Sequence, residues 1–270
     1  MSDIRTDRSI LVVSFGTLHK ETCDRTIGAI EETLAGAFPD RKLYRAWTSG
    51  FIIKRLRARG EDCLTLDEAL DSMEADGIND VLVQPTHLLD GYENRRMKDT
   101  LGEYADRFES VCVGEPLLGS GEDIEKVAQI IRDEIRPACG CGTGRSLVLM
   151  GHGSADDPSA NHVYDDLQEA LTRSGARDVY VGTVEGAPSL EDVISRMDTD
   201  GAGNETAVTP LMIVAGNHAL NDMAGYDEGS WQNVLSRTGR EVTAVIKGLG
   251  EYRGIREMFT AHASQAKALK

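Results

Sequence analysis

Short apolar runs and amphipathic stretches alternate along almost the whole chain. Residues 9–14 (SILVVS), 42–47, 80–84 (DVLVQ) and 110–113 are short and mostly apolar, and glycine or proline follows each within a few residues. Such runs predict buried strands that end in turns. Between them, 21–38 places Ile27, Ile30, Leu34 and Phe38 at helical spacing, and 51–59, 66–76 and 91–108 read as further helices. Gly77 closes 66–76 as a left-handed cap. Residues 122–135 form a clear amphipathic helix.

Residues 137–144 (PACGCGTG) are the only small-residue segment long enough to read as a linker. Beyond them the pattern recurs. Strands are predicted at 146–150, 178–183, 206–212 and 241–246, and helices at 159–174, 190–197, 229–237 and 251–266. Strands alternating with helices at this rhythm predict parallel sheets.

The recurrence has the form of an internal duplication. The run Val12 to Thr17 aligns with Leu149 to Ser154, Tyr44 to Gly50 with Tyr180 to Gly186, and Val83 to Glu93 with Val208 to His218. Three ordered matches are improbable by chance. They predict two similar α/β halves of about four parallel strands each, spanning 1–120 and 121–250, with the last helix at 251–268.

Composition narrows the classes of function. The 270 residues carry a formal net charge of −16, which argues against nucleic acid as a partner, because phosphate binding needs a basic footprint. An anionic substrate would have to be met by a local basic patch, and Lys54-Arg55-Leu56-Arg57-Ala58-Arg59 and Arg95-Arg96-Met97-Lys98 offer two. Each patch alone reads equally as a solvated helix face. No apolar run reaches the roughly 20 residues of a membrane span, and the polar N-terminus has no signal-like apolar core. A cytoplasmic location without membrane association is expected. The five cysteines are odd in number and mostly isolated, which fits a reducing compartment. Cys139-Gly-Cys141, the only close pair, lacks a usual zinc spacing and reads as part of the linker rather than as a labile metal site.

The duplication also shows where the halves differ. In an open parallel sheet the carboxyl ends of the strands form the ligand crevice. The three strand-end turns of the second half hold His152, Glu185 and His218, where the first half has Phe15, Ser49 and Glu93. Two imidazoles and a carboxylate at matched strand ends suit a borderline divalent metal such as Co²⁺, Fe²⁺, Ni²⁺ or Zn²⁺. A His152 nucleophile of the phosphatase type is a rival reading, but Gly151 stands where such enzymes place an arginine. A non-catalytic metal or haem carrier is a second rival. Of the other histidines, His87 after the third strand is balanced between lining a cleft and a structural role, His19 lies in the first turn, and His162 and His262 sit on helices as surface residues.

The Met-Gly-His152-Gly-Ser, Gly-Thr-Val-Glu185-Gly and Ala-Gly-Asn-His218-Ala turns, with Gln84-Pro85-Thr86-His87, resemble those of the anaerobic cobalt chelatases of cobalamin biosynthesis. These are class II tetrapyrrole chelatases, and the resemblance runs from about Ser9 to the final helix. It implies a chelatase-like fold of two Rossmann-like halves with the active-site cleft between them, and a last helix that crosses back onto the first half. It implies ATP-independent insertion of Co²⁺, as substrate, into sirohydrochlorin or precorrin-2, with sirohydrochlorin ferrochelatase (Fe²⁺) as the alternative and Ni²⁺ also open. It further implies His152, Glu185 and His218 as metal ligands, and Glu93 as the acidic residue of the opposing half. Insertion removes two pyrrole protons, so His152 or His218 can act as ligand and base in turn, with Glu93 as proton acceptor or orienting group. The carboxylate-rich substrate gives Lys54, Arg55 and Arg95 a purpose. Oligomeric state is not readable from the sequence, and a homo-oligomer stays open.

Overall fold

The computed structural model describes residues 7–142, 144–154 and 157–269. The polar residues 1–6 and Thr143 of the predicted linker lie outside them. The chain divides into two compact units, Met1–Gly119 with Ile255–Lys270, and Ser120–Gly254.

The first unit is built on a sheet of five strands: β1 (Arg8–Ser14), β2 (Lys42–Trp47), β3 (Asp80–Pro85), β4 (Ser110–Val113) and β9 (Lys267–Ala268), in the order β2-β1-β3-β4-β9. The first four are parallel. β9 is antiparallel to β4 and was not foreseen, because two exposed residues carry no periodicity. The second unit holds β5 (Arg145–Gly153), β6 (Val179–Glu185), β7 (Glu205–Pro210) and β8 (Glu241–Ala244), all parallel, in the order β6-β5-β7-β8. The same order, with the first strand central, therefore occurs twice. Ile10 to Val13 and Leu147 to Met150 are fully buried, as central strands covered on both faces must be.

Strand register puts the duplication on a geometric footing. Val13 pairs with Ala46 on one side and Pro85 on the other, and Met150 pairs in the same way with Gly182 and Pro210. Counting forward from these rows makes Phe15 the equivalent of His152, Ser49 of Glu185 and Glu93 of His218. The helices follow local signals. Thr65 and Glu68 form a capping box on Leu66–Ala75, and Ser189 and Asp192 do the same on Leu190–Thr199. Gly77 ends the first of these at φ +76.

Three expectations need correction. The segment 137–144 is not a linker. The helix Gly121–Ile130 continues through a π turn, Ile131–Ile135, into Arg136–Ala138, and the units meet in sequence at Gly119 and Ser120. Cys139 and Cys141 are buried in the second unit, and Arg136 Nε donates to Asp178 Oδ1 at 3.0 Å. Small residues misled here because cysteine packs as a small hydrophobe. β5 does not stop at Met150 but runs on through His152, since Gly153 still pairs with Glu185. His262 is buried, not at the surface, and its Nδ1 is 3.1 Å from the Glu115 carbonyl oxygen. The last helix, Arg253–Ser264, opens with Arg253 and Gly254 donating backbone N–H groups to Glu134, while from Ile255 onward it belongs to the first unit. Among the described residues no helix is long and apolar enough to cross a membrane.

Candidate functional site

The glycines on either side of His152 are dictated by close approach. A Cβ at Gly151 would lie 2.5 Å from the Tyr164 ring, and Gly153, at φ +76, has its backbone against that of Glu185. Gly153 N–H donates to the Tyr164 hydroxyl at 3.3 Å, which fixes this strand end from below. The His152 imidazole projects from it and is exposed. Its Nδ1 is 2.9 Å from the Gly153 carbonyl oxygen. A carbonyl only accepts, so Nδ1 carries the proton and the Nε2 lone pair is left free.

His218 stands eight positions beyond Pro210, where the chain enters a π turn, Ala219–Met223. Its Nδ1 is 2.5 Å from Asp222 Oδ2. With a carboxylate accepting, this ring too is protonated at Nδ1 and offers Nε2. The two imidazoles meet edge to face, with ring centroids 4.5 Å apart and planes at 81°. A strand end and the start of a π turn, distant in sequence, thus deliver two imidazoles of matching tautomer to one place.

Glu185 closes β6 beside Gly153, with its side chain exposed. Among the described residues no three His, Cys, Asp or Glu side chains gather closely enough to hold a metal ion. The second unit therefore brings the two histidines together, with the Glu185 carboxylate standing at the neighbouring strand end. Asp222 is the residue that sequence reading missed. Its signal was the His218-x-x-x-Asp222 spacing, which puts two side chains on one helical face.

In the first unit, Glu93 lies in the first turn of the helix Tyr92–Tyr104, and its Oε2 is buried without a hydrogen-bond partner among the described residues. Ser49 is occupied structurally, capping Gly50–Ala58 by accepting from Ile52 N–H. Phe15 is half exposed. His87 is buried, with Nδ1 3.2 Å from Asn94 Oδ1, and burial pushes its pKa below the ordinary imidazole value.

The basic stretches divide into tied and untied groups. Arg57 is held by Glu68 and the Cys63 carbonyl, Arg59 donates to the Leu18 carbonyl, and Lys98 pairs with Asp90. Arg95 donates to the Asp90 carbonyl at 3.0 Å. Lys54, Arg55 and Arg96 are exposed and form no ion pair among the described residues, and Arg55 lies 5.3 Å over the exposed Phe51 ring.

Comparison with known proteins bears on the chain as a whole. The family model described as Cobalt chelatase (CbiK) matches residues 8–268. The chain is 37% identical over 260 residues to a sirohydrochlorin cobaltochelatase of Salmonella typhimurium, covering 96% of each chain. It is 28% identical over 263 residues to the sirohydrochlorin cobaltochelatase CbiKC of Nitratidesulfovibrio vulgaris, covering 97% of this chain and 91% of that one. Among solved structures, the fold resembles SirB from Bacillus subtilis with Fe³⁺ (TM-score 0.67, 14% identity, 96% of this chain and 95% of that one). It also resembles CbiX, described as the terminal enzyme of sirohaem biosynthesis in denitrifying bacteria (TM-score 0.55, 17% identity, 96% of this chain and all of that one). The chain belongs to the cobalt chelatase (CbiK) family.

Proposed function

We propose that this chain is a sirohydrochlorin cobaltochelatase, which inserts Co²⁺ into sirohydrochlorin without ATP. The observation that carries this reading is the His152–His218 pair, two imidazoles 4.5 Å apart whose Nδ1 atoms are both occupied by hydrogen bonds. Two free Nε2 lone pairs at one place form a donor set for a borderline divalent ion. Glu185, at the neighbouring strand end, serves as the third ligand.

Insertion exchanges protein and water ligands for ring nitrogens while two pyrrole protons leave. As the ring nitrogens take the metal, His152 or His218 is released and accepts one of the two protons, so one group serves as ligand and then as base. Glu93 receives a proton in the same exchange, a role that fits its unpartnered buried oxygen. Lys54, Arg55 and Arg95 meet the peripheral carboxylates, and the exposed Phe15, Phe51 and Tyr92 offer apolar surface to a flat macrocycle.

The test is a spectrophotometric insertion assay with purified protein, sirohydrochlorin and each of Co²⁺, Fe²⁺ and Ni²⁺, without ATP. Insertion of Co²⁺ well above the spontaneous rate is expected. A rate equal to the spontaneous one with all three metals would sink the chelatase reading, and a clear preference for Fe²⁺ would reassign it to sirohaem synthesis.

A further inference from the structure

The geometry points to Asp222 as a positioning residue that sets the tautomer and direction of the His218 ring. That the His218 ring takes a metal rests on the proposed chelatase reading, whereas its tautomer does not. The 2.5 Å contact between Asp222 Oδ2 and His218 Nδ1 leaves the ring a single acceptor, Nε2. That is the arrangement by which a carboxylate orients a metal-binding imidazole.

Stability does not account for the pair. The two side chains are 38% and 45% exposed, and an exposed pair of this kind contributes about 0–1 kcal/mol at most. The local fold nevertheless departs from regularity to make room for it. Glu93 and His218 occupy equivalent places in the two units, and the next residue of each, Asn94 and Ala219, is fully buried. From there the first unit reaches its next buried side chain, Met97, in three residues, whereas the second reaches Met223 in four. The additional residue is accommodated by the π turn Ala219–Met223. Four positions after Glu93 lies the core methionine, but four positions after His218 lies Asp222, and the core keeps its methionine one residue later. A one-residue π insertion has therefore placed a carboxylate beside the imidazole at no loss of core packing. Such insertions are frequent at functional sites.

The experiment compares wild type with Asp222→Ala, Asp222→Asn and Asp222→Glu by two measurements that need no turnover. One is Co²⁺ binding to the full chain by calorimetry, without tetrapyrrole. The other is the protonation pattern of the His218 ring nitrogens in metal-free protein, by nitrogen NMR assigned with His218→Ala. Wild type is expected to show His218 as a single Nδ1–H form, and Asp222→Ala a mixture of both tautomers. Co²⁺ affinity in Asp222→Ala should fall about 10- to 100-fold, the usual effect of losing such a partner. Asp222→Asn, which still offers a carbonyl oxygen, and Asp222→Glu should recover part of it, with thermal unfolding unchanged in all three. An Nε2–H tautomer in wild type, or wild-type Co²⁺ affinity in Asp222→Ala, overturns the assignment. Failure of the chelatase reading would appear differently, as a wild-type protein with the expected tautomer that inserts no metal.

Discussion

Gly153 and Glu185 are register partners at the carboxyl ends of β5 and β6, and a Cβ on residue 153 would lie 1.9 Å from the Glu185 carbonyl oxygen. Backbone cannot swing aside as a side-chain tip can, so any substitution must part the two strand ends that carry His152 and Glu185. Gly153→Ala should lower Co²⁺ affinity and insertion rate at least tenfold. Gly77→Ala is the control. It has the same φ of +76, and so shares the left-handed penalty of about 1–2 kcal/mol, but its Cβ would meet nothing within 4 Å. Comparing unfolding midpoints and insertion rates separates conformational strain from displacement of the site. Equal insertion by the two variants would mean that the Gly153–Glu185 contact does not matter to function.

His152 is exposed and His218 partly so, and neither fills the core. His152→Ala and His218→Ala should each reduce insertion by more than a hundredfold, yet shift stability by no more than about 0.5 kcal/mol, as for other surface changes. Insertion assays alongside thermal unfolding check both halves of this statement. Turnover close to wild type in either variant would remove that histidine from the site.

Much of this was legible in the chain because buried parallel strands leave continuous apolar runs. Leu147 to Met150 announced β5, and the same grammar repeated from β1 exposed the duplication. His152, Glu185 and His218 stood out because the first half has Phe15, Ser49 and Glu93 at the same register positions. What stayed hidden depended on packing rather than period. Cys139 and Cys141 look like linker residues until their burial is seen, and His262 looks like surface until it meets the Glu115 carbonyl. Asp222 was legible only as an i,i+4 spacing from His218, which acquires meaning once the chain is seen to turn helically there.

Lys54 and Arg55 carry charge that no acidic partner neutralises among the described residues, in a chain of net charge −16. If they hold substrate carboxylates, reversing them should weaken binding more than chemistry. Lys54→Glu and Arg55→Glu are expected to raise KM for sirohydrochlorin five- to tenfold or more (~1–1.4 kcal/mol), with kcat little changed. The effect should shrink as salt is added, because exposed charges are screened. Arg57→Glu, at a position already tied to Glu68, provides the contrast. Steady-state kinetics at two ionic strengths decide it, and an unchanged KM in the first two variants would place the substrate carboxylates elsewhere.

His87 supplies a pH-dependent term in stability that is independent of turnover. Its imidazole is only 8% exposed, and burial lowers its pKa below 6.5, outweighing the Asn94 hydrogen bond and the nearby Asp90 charge. The folded ring therefore stays neutral at pH values where the ring in the unfolded chain already takes up a proton. The unfolded state then binds more protons, so stability falls as pH drops below about 6.5, by at most about 1.4 kcal/mol per pH unit, until the folded pKa is reached. Carboxylates whose pKa the fold lowers, such as Glu68 receiving the Thr65 backbone N–H, act in more acid solution and leave this window to histidine. Urea unfolding at pH 7.5, 6.5 and 5.5 should show wild type losing stability across the range. His87→Gln, which cannot titrate, should lose less. Parallel profiles for the two proteins would show that the buried His87 ring does not set this dependence.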